Sequence, residues 1–367
     1  MTDRHNARLL ALAAALIAFL VVLAGYFIWR TPGDLLGNDL ASHQQPGGQR
    51  GSVHYTLPEG ASAASVGEEL QSLGVIESSR QFQLLVSLMG VQNKLSAGDY
   101  NLPKGASTLA IIDTITVKES GPVIRVTFPE GIRIEEMAVI AERAGLGPAS
   151  GFLDAVKTLP LPPELESAIP PADQLGTYRL EGYLFPDTYI LPKTATPSDL
   201  VGLMLSTFLD RFSPQLRASA QARGLSIHQT VTLASIVERE AVIPGERPLI
   251  AGVFLNRIAA GDMLGADPTT QFTVAMNPAS VEEFGWWKKE LTIDDLRLDS
   301  PYNTRLHPGL PPGPITNPGL ASLEAAANPE STDYYYFVAD AKKGDGSHVF
   351  AVTFEEHERN QAEYGSP

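Results

Sequence analysis

The chain has 367 residues, 44% of them hydrophobic and 19% charged, with a formal charge of −15 and no cysteine. That length and composition allow two or three globular domains. The acidic balance, without a Lys/Arg cluster, excludes a surface for nucleic-acid phosphates; the missing cysteine excludes disulfides, thiolate metal sites and a lipidated N-terminal Cys.

The segment from Leu9 to Trp29 carries no charge. As a helix it is about 30 Å long, enough to cross a bilayer core. Arg4 and Arg8 precede it, and Asp34 and Asp39 follow Arg30. This bias predicts a cytoplasmic tail over 1–8, one membrane helix over 9–29 and an exported remainder. The alternative is a cleaved signal peptide, for which Val22-Leu23-Ala24 is a poor cleavage site. Residues 30–51 are rich in Gly, Gln and Pro and read as a linker.

A strand is expected over 53–57, helices over 64–73 and 79–89, a short strand over 97–102 and a helix over 108–117. Many small domains share such a strand–helix–helix–strand pattern, among them glycan binders and plain spacers. A second strand, over 123–128, leads into a helix over 133–144 stopped by Gly145. Pro-Glu-Gly follows both strands, at 58–60 and 129–131, which suggests an internal repeat. Residues 157–177 are Pro-rich and read as a surface excursion. Helices fit 197–212 and 214–223, the latter with Ser213 as cap.

Ser226 and Gln229 form a capping-box pattern that opens a helix running to Glu240. On a helical wheel, Ile227, Val231, Ala234, Ala241 and Val242 lie within about 60° of Glu238, and Glu240 lies nearly opposite. A carboxyl on an apolar face must find a partner or shift its pKa upward, as a general acid near neutral pH requires. Glu238 is thus either such an acid or a member of a structural ion-pair network. Another helix fits 246–260, where Asn256-Arg257 offers a polar edge to a cleft. Residues 264–270 read as a loop, and the Pro/Gly-rich stretch 309–319 as a rigid one. A helix fits 320–327. The run Tyr334 to Ala339 reads as a buried strand, with 348–350 as its hairpin partner. His348 and His357 lack the spacing of a metal site.

Taken together, EGYLFPDTY (181–189), LASIVERE (233–240), ERPLIAGVFLNR (246–257), DPT (267–269), SPYNT (300–304), GLPPGPITNPG (309–319), AAANP (325–329) and YYYFVA (334–339) resemble the endolytic murein transglycosylase, or YceG-like, family. The resemblance covers most of residues 120–365 in family order. It implies an α+β protein with an N-terminal transmembrane helix, a small LysM-like α/β domain over 52–120 and a larger mixed α+β catalytic domain over 121–365. It implies an enzyme that cuts nascent peptidoglycan strands internally, leaving 1,6-anhydro-N-acetylmuramyl ends, without cofactor or metal. The catalytic role carries to Glu238. Glu240, Asn256, Asp267, Thr269, Tyr302 and Asn303 are the substrate-binding candidates. Partners implied are glycan strands, the inner membrane and penicillin-binding synthases, with the catalytic domain periplasmic. Segment 275–299, with Trp286-Trp287, has no counterpart in the pattern. A non-catalytic glycan-binding scaffold is one competing reading. A hydrolase using Glu246 or Asp267 as second carboxylate is another.

Overall fold

A computed structural model describes residues 52–116 and 123–365. The expected membrane helix over 9–29, the tail before it and the linker over 30–51 lie outside these residues. Among the described residues no helix is long and apolar enough to cross a membrane. Over the described residues the fold is mixed α+β, with three two-stranded antiparallel sheets set among helices.

β1 (Ser52–Leu57) pairs with β2 (Gly98–Pro103), Tyr55 opposite Tyr100. Between them lie α1 (Ala63–Ser72) and α2 (Ser79–Leu88). Each starts at a serine, Ser62 or Ser78, whose hydroxyl accepts a main-chain N–H three residues on. α3 (Thr108–Ile115) follows β2. The same order then returns. β3 (Val123–Thr127) leads into α4 (Ile134–Arg143) and α5 (Ala149–Thr158), and pairs with β4 (Thr188–Pro192). α8 (Pro197–Arg211) follows as α3 did, after two one-turn helices, α6 (Pro163–Glu166) and α7 (Ala172–Leu175). The Pro-Glu-Gly turns stand at the same place in both units, with Gly60 and Gly131 left-handed at φ 75° and 74°. Leu-Pro-Lys closes both returning strands, at 102–104 and 191–193.

The second unit differs by its insertion. Residues 157–177, expected on the surface, send Leu165, Ile169 and Leu175 into the core. Prolines 162, 163 and 171 stand at the starts of the two short helices, where a missing N–H costs nothing. The two units are joined. Ser78 donates its hydroxyl to Asp210 on α8, and Glu77 pairs with Arg211 at 3.0 Å. One continuous core runs from Val66 and Phe82 to Leu200 and Phe208.

α9 (Pro214–Ala222), α10 (Ile227–Glu240) and α11 (Arg247–Ala260) continue the chain. α10 packs against α9, α11 and α15 (Leu320–Ala327). All of residues 230–237 are buried, so the helix has no single apolar face. The wheel assumed one, and it carried Ala241 and Val242 beyond the end of the helix at Glu240; Val242 is exposed. Where a loop was expected, Asp267–Val274 is helix α12, with Pro268 tolerated in its first turn. α13 (Pro278–Phe284) and α14 (Ile293–Leu296) lie in segment 275–299. β5 (Tyr336–Ala339) and β6 (His348–Ala351) form the last sheet, covered by α16 (Phe354–Tyr364). β5 is shorter than the expected 334–339 and only half-buried, because a two-stranded sheet has two open edges.

Candidate active site

The loop 309–319 is rigid because its side and main chains are held on three sides. Ile315 N–H donates to Ser235 Oγ at 3.0 Å, and Thr316 donates to the Ser235 carbonyl. Asn317 Oδ1 accepts from the N–H groups of Gly182 and Leu184, both at 3.0 Å. Its Nδ2 donates to Glu181 Oε1 at 2.8 Å and to the Ile132 carbonyl. Glu181 is buried, and burial raises its pKa well above the usual carboxylate range. Gly182 has φ 89°, and a Cβ there would lie 2.6 Å from Pro314 and 2.8 Å from Val231. No other residue fits that crossing.

This loop ends on Glu238. Gly319 N–H donates to Glu238 Oε2 at 2.9 Å, and Arg247 lies 3.6 Å from Oε1. The Glu238 side chain is 7% exposed and that of Arg247 13%. The second Pro-Glu-Gly turn closes the other side: Glu238 Cγ stands 3.2 Å from where a Gly131 Cβ would be. Glu130 lies against Gly319, its pKa raised by burial and by the Glu238 charge. Both Glu238 oxygens therefore have cationic or N–H partners.

Glu240 faces the opposite way. It lines a cavity of 370 Å³ with Arg257, Asp267, Arg305, Tyr336 and His357; Glu238 does not. Burial raises the Glu240 pKa to about 7, and the Asp267 charge adds to the shift against opposing pulls from Arg305, Arg257 and Arg239. A carboxyl titrating there donates and accepts a proton with equal ease near neutral pH. Asp267 is half-exposed and ion-paired to Arg305. Arg257 donates to the carbonyls of Leu264 and Tyr335 and stacks on Tyr336, 5.0 Å from the ring centre. His357 stacks on the same ring at 5.1 Å, and its pKa is lowered by burial and by Arg257. Its Nδ1 is buried without a partner.

The other sequence candidates make contacts within the protein and do not line the Glu240 cavity. Asn256 Nδ2 donates to the carbonyls of Thr332 and Tyr334, both at 2.8 Å. Thr269 is buried and bonded to Ala266 and Thr304. Asn303 Nδ2 donates to Leu296 and Leu298, and Tyr302 packs its ring on Phe272 at 4.7 Å. Glu246, a possible second carboxylate, is held by His348 at 2.7 Å. Arg305 and His357 were missed as cavity residues. Neither shows a local signal; the fold brings 240, 267, 305 and 357 together from distant segments. Among the described residues no group of three or more His, Cys, Asp or Glu side chains is placed to hold a metal ion.

Fold and cavity thus define an α+β protein whose central helix presents a buried carboxyl to a cleft of mixed charge. A model of the YceG-like family matches residues 55–363, and the chain belongs to that family. It is 30% identical over 324 residues to the endolytic murein transglycosylase of Bacillus subtilis strain 168, covering 85% of both chains. It is 31% identical over 379 residues to the protein of that name from Streptococcus pneumoniae strain D39, covering 96% of this chain and 65% of that one. A YceG-like protein from Listeria monocytogenes, solved at 2.6 Å, superposes with a TM-score of 0.53 at 30% identity, covering 85% of this chain and 99% of its own.

Proposed function

We propose that the protein is a peptidoglycan lytic transglycosylase that cuts glycan strands internally, with Glu240 as its acid and base. The observation that carries the reading is the place of the Glu240 carboxyl in a cleft lined by Arg257, Asp267 and Arg305, where burial pushes its pKa up to about 7. The names carried by its bacterial relatives support the substrate class. This moves the acid from Glu238, where the sequence resemblance had put it, to the second glutamate of the same helix. Glu238 faces Arg247 and the Gly319 amide and becomes a positioning group.

Protonated Glu240 gives its proton to the glycosidic oxygen, and the bond from that oxygen to the anomeric carbon breaks. The resulting carboxylate takes the proton of the muramyl C6 hydroxyl, whose oxygen bonds to the anomeric carbon. Glu240 ends reprotonated, no water is consumed, and the product carries a 1,6-anhydro end.

Digestion of purified sacculi, with products analysed by mass spectrometry, tests this. Anhydro-muramyl ends are expected. Reducing ends instead would favour a hydrolase with Asp267 as second carboxylate. No product at all would leave a glycan-binding scaffold. We read the β1–α1–α2–β2 unit as LysM-like, and 9–29 as the membrane anchor that leaves the catalytic part periplasmic beside cell-wall synthases. The full chain should resist carbonate extraction from membranes, and a chain lacking residues 1–30 should not.

A further inference from the structure

We infer that a second, larger cavity binds the peptide side chains of peptidoglycan, away from the scissile bond. The inference rests on the reading of the protein as a peptidoglycan enzyme. The cavity has a volume of 740 Å³ and is walled by residues of α4, α5, the stretch 172–179 and segment 275–286. That volume suits a ligand of several linked residues. Its lining combines the rings of Tyr178 and Trp286 with three cations, Arg133, Lys157 and Arg179, and one carboxylate, Glu135. In a chain of net charge −15 this local surplus of positive charge runs against the whole.

The three cations are not equivalent. Arg179 is committed to Glu166 and to the carbonyls of Glu166, Ile169 and Pro170. Arg133, 3% exposed, is clasped by Glu135 at 3.2 Å and lies between the rings of Phe272 and Trp286, 4.2 Å and 4.7 Å away. Its Nη1 is buried with no hydrogen-bond partner. Lys157 is exposed, and among the described residues it has the Tyr178 ring, 5.8 Å away, and no carboxylate. The site is therefore built around one available cation beside two aromatic faces. A carboxylate attached to small apolar groups complements it. The peptides of peptidoglycan have that chemistry, with free carboxylates and alanine methyls. A sugar strand of N-acetylglucosamine alone, held by hydroxyls and amides and lacking any carboxylate, has no use for the charge.

One helix links the walls of the two cavities. α12 starts at Asp267 in the Glu240 cleft and ends at Val274, beside Ala275 in the large cavity. Its length is about 12 Å. Segment 275–299, which the family pattern left unplaced, supplies Trp286 to the cavity wall. The next residue, Trp287, lies under Arg239 at 4.0 Å, the residue between Glu238 and Glu240.

The test is a titration of the isotope-labelled full chain, following the Trp286 indole N–H, assigned with Trp286→Phe. The ligands are a free stem tripeptide, a disaccharide bearing it, and N,N′-diacetylchitobiose, a disaccharide with neither lactyl group nor peptide. The first two should shift the signal, the third should not, and Lys157→Ala should weaken the tripeptide about ten-fold. No shift with the tripeptide overturns the inference. So does an equal response to the chitobiose, or a Lys157→Ala protein that binds as well as wild type. The tripeptide has no glycosidic bond, so the outcome is independent of whether Glu240 performs the cleavage.

Discussion

Glu238 and Glu240 leave the same helix two residues apart, about 200° around its axis. One meets an amide, an arginine and a glycine turn. The other meets desolvation and a neighbouring aspartate, and its pKa rises to about 7. The residue type and the helix are shared, so the difference lies entirely in what the surrounding segments bring. The 309–319 loop and the 129–131 turn converge on Glu238. The 264–267, 305 and 336–361 segments converge on Glu240. A carboxyl whose oxygens are satisfied holds a structure together; one that is desolvated beside like charge is poised to exchange a proton.

The largest effect that tests this contrast is on turnover. Glu240→Gln keeps the size and removes the proton, and should lower anhydro-product formation by about 10²–10⁴-fold. Glu238→Gln should leave the rate within about three-fold. Measured side by side on sacculi, the opposite pattern would return the acid to Glu238.

Stability should show the reverse order. Glu238→Ala leaves the Arg247 guanidinium and the Gly319 N–H without their partner, at a cost of about 2–3 kcal/mol. Glu240→Gln removes a desolvated carboxyl and should be neutral or stabilising. Urea unfolding of both variants measures this, and a Glu240→Gln protein that is the less stable of the two would break the assignment.

The pH dependence follows from the same shift. The acid must be protonated in free enzyme, so kcat/KM should fall as pH rises through about 7. The stability sign is set by the protons bound. Glu240 titrates near 4.3 when unfolded, so between about 4.3 and 7 the folded state holds more protons, and its contribution declines with rising pH. Glu240→Gln should remove that decline and the upper limb of activity together. A limb that survives in a residually active variant belongs to another group.

Much of this was legible in the sequence. Helices with serine caps and glycine stops sat within a residue or two of their expected ends, as at Ser213 and Gly145. The two Pro-Glu-Gly turns pointed to two units of the same order. What failed was the wheel on 226–242. A central helix has no outer face, so periodicity could not say which carboxyl faced solvent and which faced a partner. The 264–270 stretch misled because Pro268 breaks a helix interior yet suits a first turn. Arg305 and His357 had no readable cue, since they enter the cleft only through tertiary packing.

The smallest effect is the most discriminating. Asp267 raises the Glu240 pKa, so Asp267→Asn should move the upper limb of the pH profile toward lower pH. The move should be less than about one unit, because Asp267 is 59% exposed and already paired with Arg305. A small shift with the anhydro product retained is what an electrostatic neighbour produces. If the variant loses the reaction altogether, or if wild type yields reducing ends, Asp267 touches the reacting atoms itself. The cleft would then hold two working carboxylates, and the difference between the two sides of α10 would be one of pairing: Glu238 with a cation, Glu240 with a second acid.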